Sequence, residues 1–220
     1  MNSTIITQSL KYLANKRPFF WSEADFQFAF SEALRVYLPN AKIRLERPIH
    51  ISTYKTYHVD IWVEDEGKIY PIELKYKTKE CSTIINGEKF QVADQSAKDL
   101  GRYDYIADIK RIEDIKNKYT STFGEGYAII LTNDASYYNV PNKQPQTMDA
   151  QFRIHQGAHL SGHLYWHATP SSTTIVNGNR KSRTAITLLG NYTMDWNLYS
   201  NIKDISGTNF EVKSCVTVIK

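Results

Sequence analysis

Cysteine is nearly missing from the chain. Cys81 and Cys215 are the only two in 220 residues and lie far apart, so neither a disulfide framework nor a zinc site built on paired cysteines is expected. No stretch approaches the roughly 18 consecutive apolar residues of a membrane helix, and no membrane partner is expected. The opening "MNSTIITQSLKYLANKRPFF" has no basic segment followed by an apolar one. It does not read as a secretory leader, and a cytoplasmic setting is expected. Internal repeats and low-complexity tracts are missing too. A Walker-type glycine loop, a G-x-S-x-G elbow and a Cys/His nucleophile signature are also not found.

What is present is an ordinary globular composition with heavy aromatic use, 15 Tyr, 9 Phe and 4 Trp. The length allows one large domain, or one domain with an extension, able to bury a real core. A net charge of +4 and a pI near 8.9 permit a polyanionic partner without demonstrating one.

The apolar pattern changes period along the chain. "SEADFQFAFSEALRVYL" starts with Ser22 as an N-cap and Asp25 three residues on; Phe26, Ala29, Phe30, Ala33, Leu34 and Tyr37 then recur at helical spacing. A shorter helix is expected near residues 4–15. "KIRLERPI", "TYHVDIWVE" and "KIYPIELKY" read as strands, with a tight turn at Glu66-Gly67. Pro71 suggests a strand start or a bulge. Residues 77–90 read as a polar loop, 92–119 as a helix with Gly101 bending or interrupting it, and "GYAIILTND" as a buried strand. Beyond residue 150 the text alternates like antiparallel strands.

The expectation is therefore an α/β core over residues 1–150, in the order αβββαβ after an N-terminal helix. A β-rich C-terminal extension over residues 151–220 would pack on it, not form a separate domain.

One strand carries charge where charge is unusual. On "KIYPIELKY", Glu73 and Lys75 project together while Leu74 goes to the other face. If this strand pairs with the preceding one through Glu66-Gly67, the register brings Asp60 close to Glu73. Two facing carboxylates and an ammonium then share one surface, an arrangement that raises a carboxyl pKa or attracts a cation. Oxygen ligands at that spacing suit Mg²⁺ or Mn²⁺. The competing reading is a Glu73–Lys75 surface ion pair worth less than about 1 kcal/mol. Glu211-Val212-Lys213 is the one serious rival motif on a strand.

Asp60 in "HVDIW", with Glu73 and Lys75 in "PIELKY", resembles the PD-(D/E)xK nuclease superfamily, whose restriction-endonuclease-like fold has the same αβββαβ order. The resemblance spans roughly residues 20–135, and Val59 stands where the family's motif has proline. It implies a Mg²⁺- or Mn²⁺-dependent nuclease acting on DNA, in restriction, defence or repair, with RNA as the alternative polymer. Asp60, Glu73 and the Leu74 carbonyl would bind the metal, and Lys75 would act on the attacking water or on the phosphate. Glu23 would supply the further acid the family often carries on the preceding helix, with Glu32 as its fallback.

Gln95, Asp99 and Arg102 fall at i, i+4 and i+7; Gln95 is a candidate for the catalytic site and Arg102 for a phosphate contact. Arg180, Lys181 and Arg183 in "NGNRKSR" are candidate nucleic-acid contacts. The spacing of His155, His159, His163 and His167 lacks the carboxylate or cysteine that would complete a metal site. A homodimer is compatible with the sequence. The second class of function is a non-catalytic nucleic-acid-binding or interaction module that keeps the fold.

Overall fold

A computed structural model describes residues 1–53, 55–141, 147–167 and 183–220. Arg180 and Lys181 lie outside these. The chain begins with α1 (Ser3–Lys16) and α2 (Glu23–Tyr37), followed by β1 (Lys42–Ser52), β2 (Lys55–Asp65) and β3 (Lys68–Lys77). A hairpin of β4 (Cys81–Ile85) and β5 (Glu88–Val92) leads to α3 (Lys98–Lys118), β6 (Gly126–Thr132) and the short α4 (Ala135–Tyr138). After a 3₁₀ turn at Ala150–Phe152 come β7 (His159–Leu164), β8 (Ile186–Thr193), β9 (Trp196–Lys203) and β10 (Asn209–Ile219).

The main sheet has six strands in the order β1-β2-β3-β6-β10-β9. Its one parallel pairing is β3 with β6, bridged by α3 in between; the other neighbours run antiparallel. Ile72, Leu74, Tyr76, Tyr127, Ile129 and Leu131 pack on one face beneath α1 and α2. Trp62, Ala128, Ile130 and Cys215 face α3 and the β7–β8 hairpin on the other. The molecule is a mixed α/β fold.

Local chemistry explains the elements. Ser22 accepts the Asp25 N–H and opens α2, as expected from the capping pattern. Glu66 and Gly67, at φ +49° and +74°, make the β2–β3 turn in the left-handed conformation that a two-residue hairpin demands.

Four expectations change. Residues 77–90 are not a loop: Asn86 and Gly87, at φ +51° and +82°, turn the β4–β5 hairpin. Pro71 lies inside β3, opposite Trp62. It is tolerated there because pairing to β6 begins only at Ile72, so no ladder bond needs its missing N–H. α3 starts at Lys98 and runs unbroken through Gly101, where an added Cβ would lie 2.3 Å from the Tyr137 hydroxyl. Lastly, β10 is no appendage, since it pairs with both β6 and β9 inside the main sheet.

Candidate active site

The site forms where β2 leaves β3. Their ladder runs from Asp65 opposite Lys68 to Ile61 opposite Ile72 and stops there. Opposite Asp60 on the other side, Glu46 adopts φ +52° and drops out of the β1–β2 register. The backbone groups released by this splay are taken up by side chains. Gln27 Nε2 donates to the Asp60 carbonyl at 2.7 Å and also to Glu46 at 2.7 Å. The Leu74 N–H donates to Asp60 Oδ2 at 2.6 Å, and the Tyr76 N–H to Glu23 Oε2 at 2.8 Å. Two carboxylates thus close the open edge of β3, on either side of Lys75.

On the α3 face of β3, Glu73 is 1 % exposed. Its Oε2 accepts from Arg111 Nη1 at 2.9 Å, while its Oε1 is buried without a hydrogen-bond partner among the described residues. Lys75 Nζ lies 2.9 Å from Asp108 Oδ2 and 3.7 Å from Glu23 Oε1, and donates to the Leu74 carbonyl at 3.0 Å. Arg111 Nη2 lies 3.4 Å from Asp108 Oδ1. Four carboxyl groups (Glu23, Asp60, Glu73 and Asp108) therefore crowd around two cations, Lys75 and Arg111.

Proton affinities follow from that crowding. Burial raises the Asp60 carboxyl to about 6 against the opposing pull of the Leu74 N–H and Lys75. Burial, then repulsion from Asp108, lifts Glu73 well above the usual carboxylate range. Burial works against the Lys75 ammonium, but Asp108, Glu23 and Asp60 outweigh it and hold it charged beyond the ordinary lysine range.

Asp60, Leu74, Lys75 and Glu23 are linked by these hydrogen bonds and the ion pair, and Asp60 acts electrostatically on Glu73. Glu32 is exposed on α2, whereas Glu23 contacts the Tyr76 N–H and Lys75. Gln95 is not on α3: it is exposed in the segment before it, its N–H donating to the Thr78 carbonyl. The expected Gln95–Asp99–Arg102 stripe therefore does not form, and Gln95 has no place in the cluster. Arg102 ties α3 to the following segments, 2.7 Å from Asp149 and donating to the Ser136 carbonyl. Arg183 lies 3.3 Å from Asp104. In the rival motif, Glu211 pairs with its neighbour Lys213 at 3.1 Å, with Glu211 half exposed.

Sequence reasoning missed Gln27, Asp108 and Arg111. A signal existed for Asp108: with Tyr105, Ile109 and Ile112 it lies at core-facing helical spacing, where an unpaired charge is rare.

A divalent ion can be tested against these residues. Mg²⁺ retains several waters and is commonly held by only one or two protein carboxylates. Glu73 Oε1, without a partner among the described residues, the nearby Asp60 and the surplus of carboxyl groups over cations fit such an ion. No group of three or more His, Cys, Asp or Glu is arranged as a ready metal cage among the described residues. The Leu74 carbonyl already accepts from Lys75. No family model, curated protein or solved structure matches the chain. Among the described residues, no helix is long and apolar enough to cross a membrane.

Proposed function

We propose that the chain is a metal-dependent nuclease that hydrolyses phosphodiester bonds of DNA, with the fold and site of the PD-(D/E)xK superfamily. The element order α2, β1, β2, β3, α3, β6, with the β4–β5 hairpin inserted before α3, supports the αβββαβ core. The observation that carries the reading is the acid-rich cluster at the splayed end of β3. There a Glu73 oxygen without a partner among the described residues sits in a crowd of four carboxyl groups beside an ammonium held charged. A Mg²⁺ or Mn²⁺ ion bound by Asp60 and Glu73 would polarise a phosphoryl oxygen and acidify a bound water.

The chain's own groups divide the remaining work. Lys75 offers positive charge to the phosphate as negative charge grows on it, and Asp108 with Glu23 aims its Nζ. Arg111 steadies Glu73 on one oxygen and leaves the other, buried, without a hydrogen-bond partner among the described residues. Gln27 holds the Asp60 backbone and so sets the angle at which its carboxylate is presented.

The test is cleavage of plasmid and linear DNA by the purified protein in Mg²⁺ or Mn²⁺, suppressed by EDTA. Asp60→Asn, Glu73→Gln and Lys75→Met should each lower the rate by at least about 100-fold, the usual scale for an essential electrostatic group. Glu211→Ala should leave it unchanged. Cleavage that survives all three changes would refute the assignment.

A second reading has an observation of its own. Arg111 on Glu73 and Asp108 on Lys75 show that much of the cluster can neutralise itself. This is what a non-catalytic binding module that keeps the fold would need. No cleavage in either metal, with DNA binding intact, is its expected outcome.

A further inference from the structure

Beside the acid cluster, on the α3 face of the sheet, runs a cavity of about 790 Å³. Its walls are the start of β2, the middle of α3 and residues 183–187, which lead into and begin β8. Among the described residues, Lys55, Lys110, Arg111 and Arg183 line it with His58, against a single lining acid, Asp104. Lys55 Nζ lies 3.2 Å from Asp114 Oδ2, and Lys110 pairs with the other oxygen of the same carboxylate, so Asp114 balances part of the charge. The cations remain within reach of solvent, their side chains 52 % exposed for Lys55, 29 % for Lys110 and 24 % for Arg183. Arg183 Nε is buried and lacks a hydrogen-bond partner among the described residues.

The groove is joined to the acid cluster by a shared side chain. Arg111 lines it and donates to Glu73 at 2.9 Å, its guanidinium lying 5.2 Å from the centre of the Tyr57 ring. His58 stands two residues before Asp60 on β2.

We infer that this groove holds the phosphate backbone of a nucleic acid, with Lys55, Lys110 and Arg183 as phosphate contacts leading to the acid cluster. The inference rests on the nuclease reading and adds to it the path of the substrate. Leaving Arg111 to the acid cluster, Lys55, Lys110 and Arg183 outnumber Asp104 and Asp114, and their separated heads on β2, α3 and the segment before β8 suit a chain of phosphates better than one compact anion. Such contacts fix position and carry no base preference, so binding through them is indifferent to sequence and sensitive to salt.

The test measures binding of a fluorescein-labelled duplex of about 30 base pairs by anisotropy in EDTA, across a salt series. The variants are the combined Lys55→Ala/Lys110→Ala/Arg183→Ala and the charge-preserving Lys55→Arg/Lys110→Arg/Arg183→Lys. The alanine variant should bind about 10- to 100-fold more weakly near 0.1 M salt, its log–log salt slope shallower by about 2 to 3. The charge-preserving variant should bind as the parent does. In Mn²⁺, both variants should hydrolyse bis(4-nitrophenyl) phosphate at the parental rate, because that substrate is too small to use the groove.

Equal DNA binding by parent and alanine variant would overturn the groove and leave the nuclease reading standing. Weakened binding without hydrolysis of either substrate would keep the groove and remove the catalysis. A parent that neither binds nor cleaves DNA would overturn both.

Discussion

Asp60 is the residue at which stability and the proposed chemistry pull against each other. Burial raises its carboxyl to about 6, so the folded chain binds this proton more tightly than the unfolded chain does. The contribution to stability is complete below the ordinary Asp value near about 4 and is lost as pH rises through about 6. At neutral pH the protein therefore carries an ionised carboxylate in a place that resists it, at a cost of about 3 kcal/mol at most. Asp60→Asn cannot ionise, and its amide oxygen can still accept the Leu74 N–H. In EDTA at pH 8, this change should raise the unfolding free energy by about 1 to 3 kcal/mol; by pH 4 the gain should vanish. Urea titrations at the two pH values measure both quantities. Adding Mn²⁺ at pH 8 should then raise the melting temperature of the parent more than that of Asp60→Asn, through loss of a charged ligand. A constant gain at both pH values would show that Asp60 ionisation is not its source.

At the scale of elements, α3 works as a two-sided strut. Asp108 and Arg111 reach the cluster on β3, while Glu113, 3 % exposed, holds β8. The Glu113 carboxylate accepts the Leu189 and Gly190 N–H groups and the Tyr192 hydroxyl, at 2.8 to 3.0 Å. Removing it leaves three donors to be satisfied, and each buried unsatisfied donor costs about 1 to 3 kcal/mol before relaxation. Glu113→Ala should therefore lower stability by about 2 to 4 kcal/mol, read from the urea midpoint. Amide exchange at Leu189 and Gly190 should accelerate more than at β6, which lies on the opposite side of α3's attachment. Uniform acceleration across the sheet would mean that Glu113 supports the whole fold and not the β8 junction.

At the scale of the molecule, the central sheet is completed from the far end of the chain. β6 is buried along its full length between β3 and β10. A chain cut after residue 150 would lose β7 to β10 and leave β6 as an unpaired apolar edge, a template for aggregation. Such a truncation should be insoluble or form large aggregates in size-exclusion chromatography, with no cooperative melt. A soluble fragment melting cooperatively would show that residues 151–220 are a separable extension.

Alternation along "KIYPIELKY" was enough to put Glu73 and Lys75 on one face, because a strand's period of two is a property of the backbone alone. The turn at Glu66-Gly67 brought Asp60 to them by register, and the Ser22 cap placed Glu23 at the start of its helix. Asn86-Gly87 carried an equally local hairpin signal that the polarity of its flanks obscured. Other features depended on contacts distant in sequence. The start of α3 at Lys98 removed Gln95 from the helix, and the packing of that helix on β3 brought Asp108 to Lys75 and Arg111 to Glu73 across more than 30 residues. The position of β10 beside β6 likewise followed from which strand edge remained open after β3 and β6 had paired. Local sequence sets which way a side chain points along its own element. Only the folded arrangement of elements decides which charges share a buried space, and there the low polarisability of the surroundings makes each neighbour count.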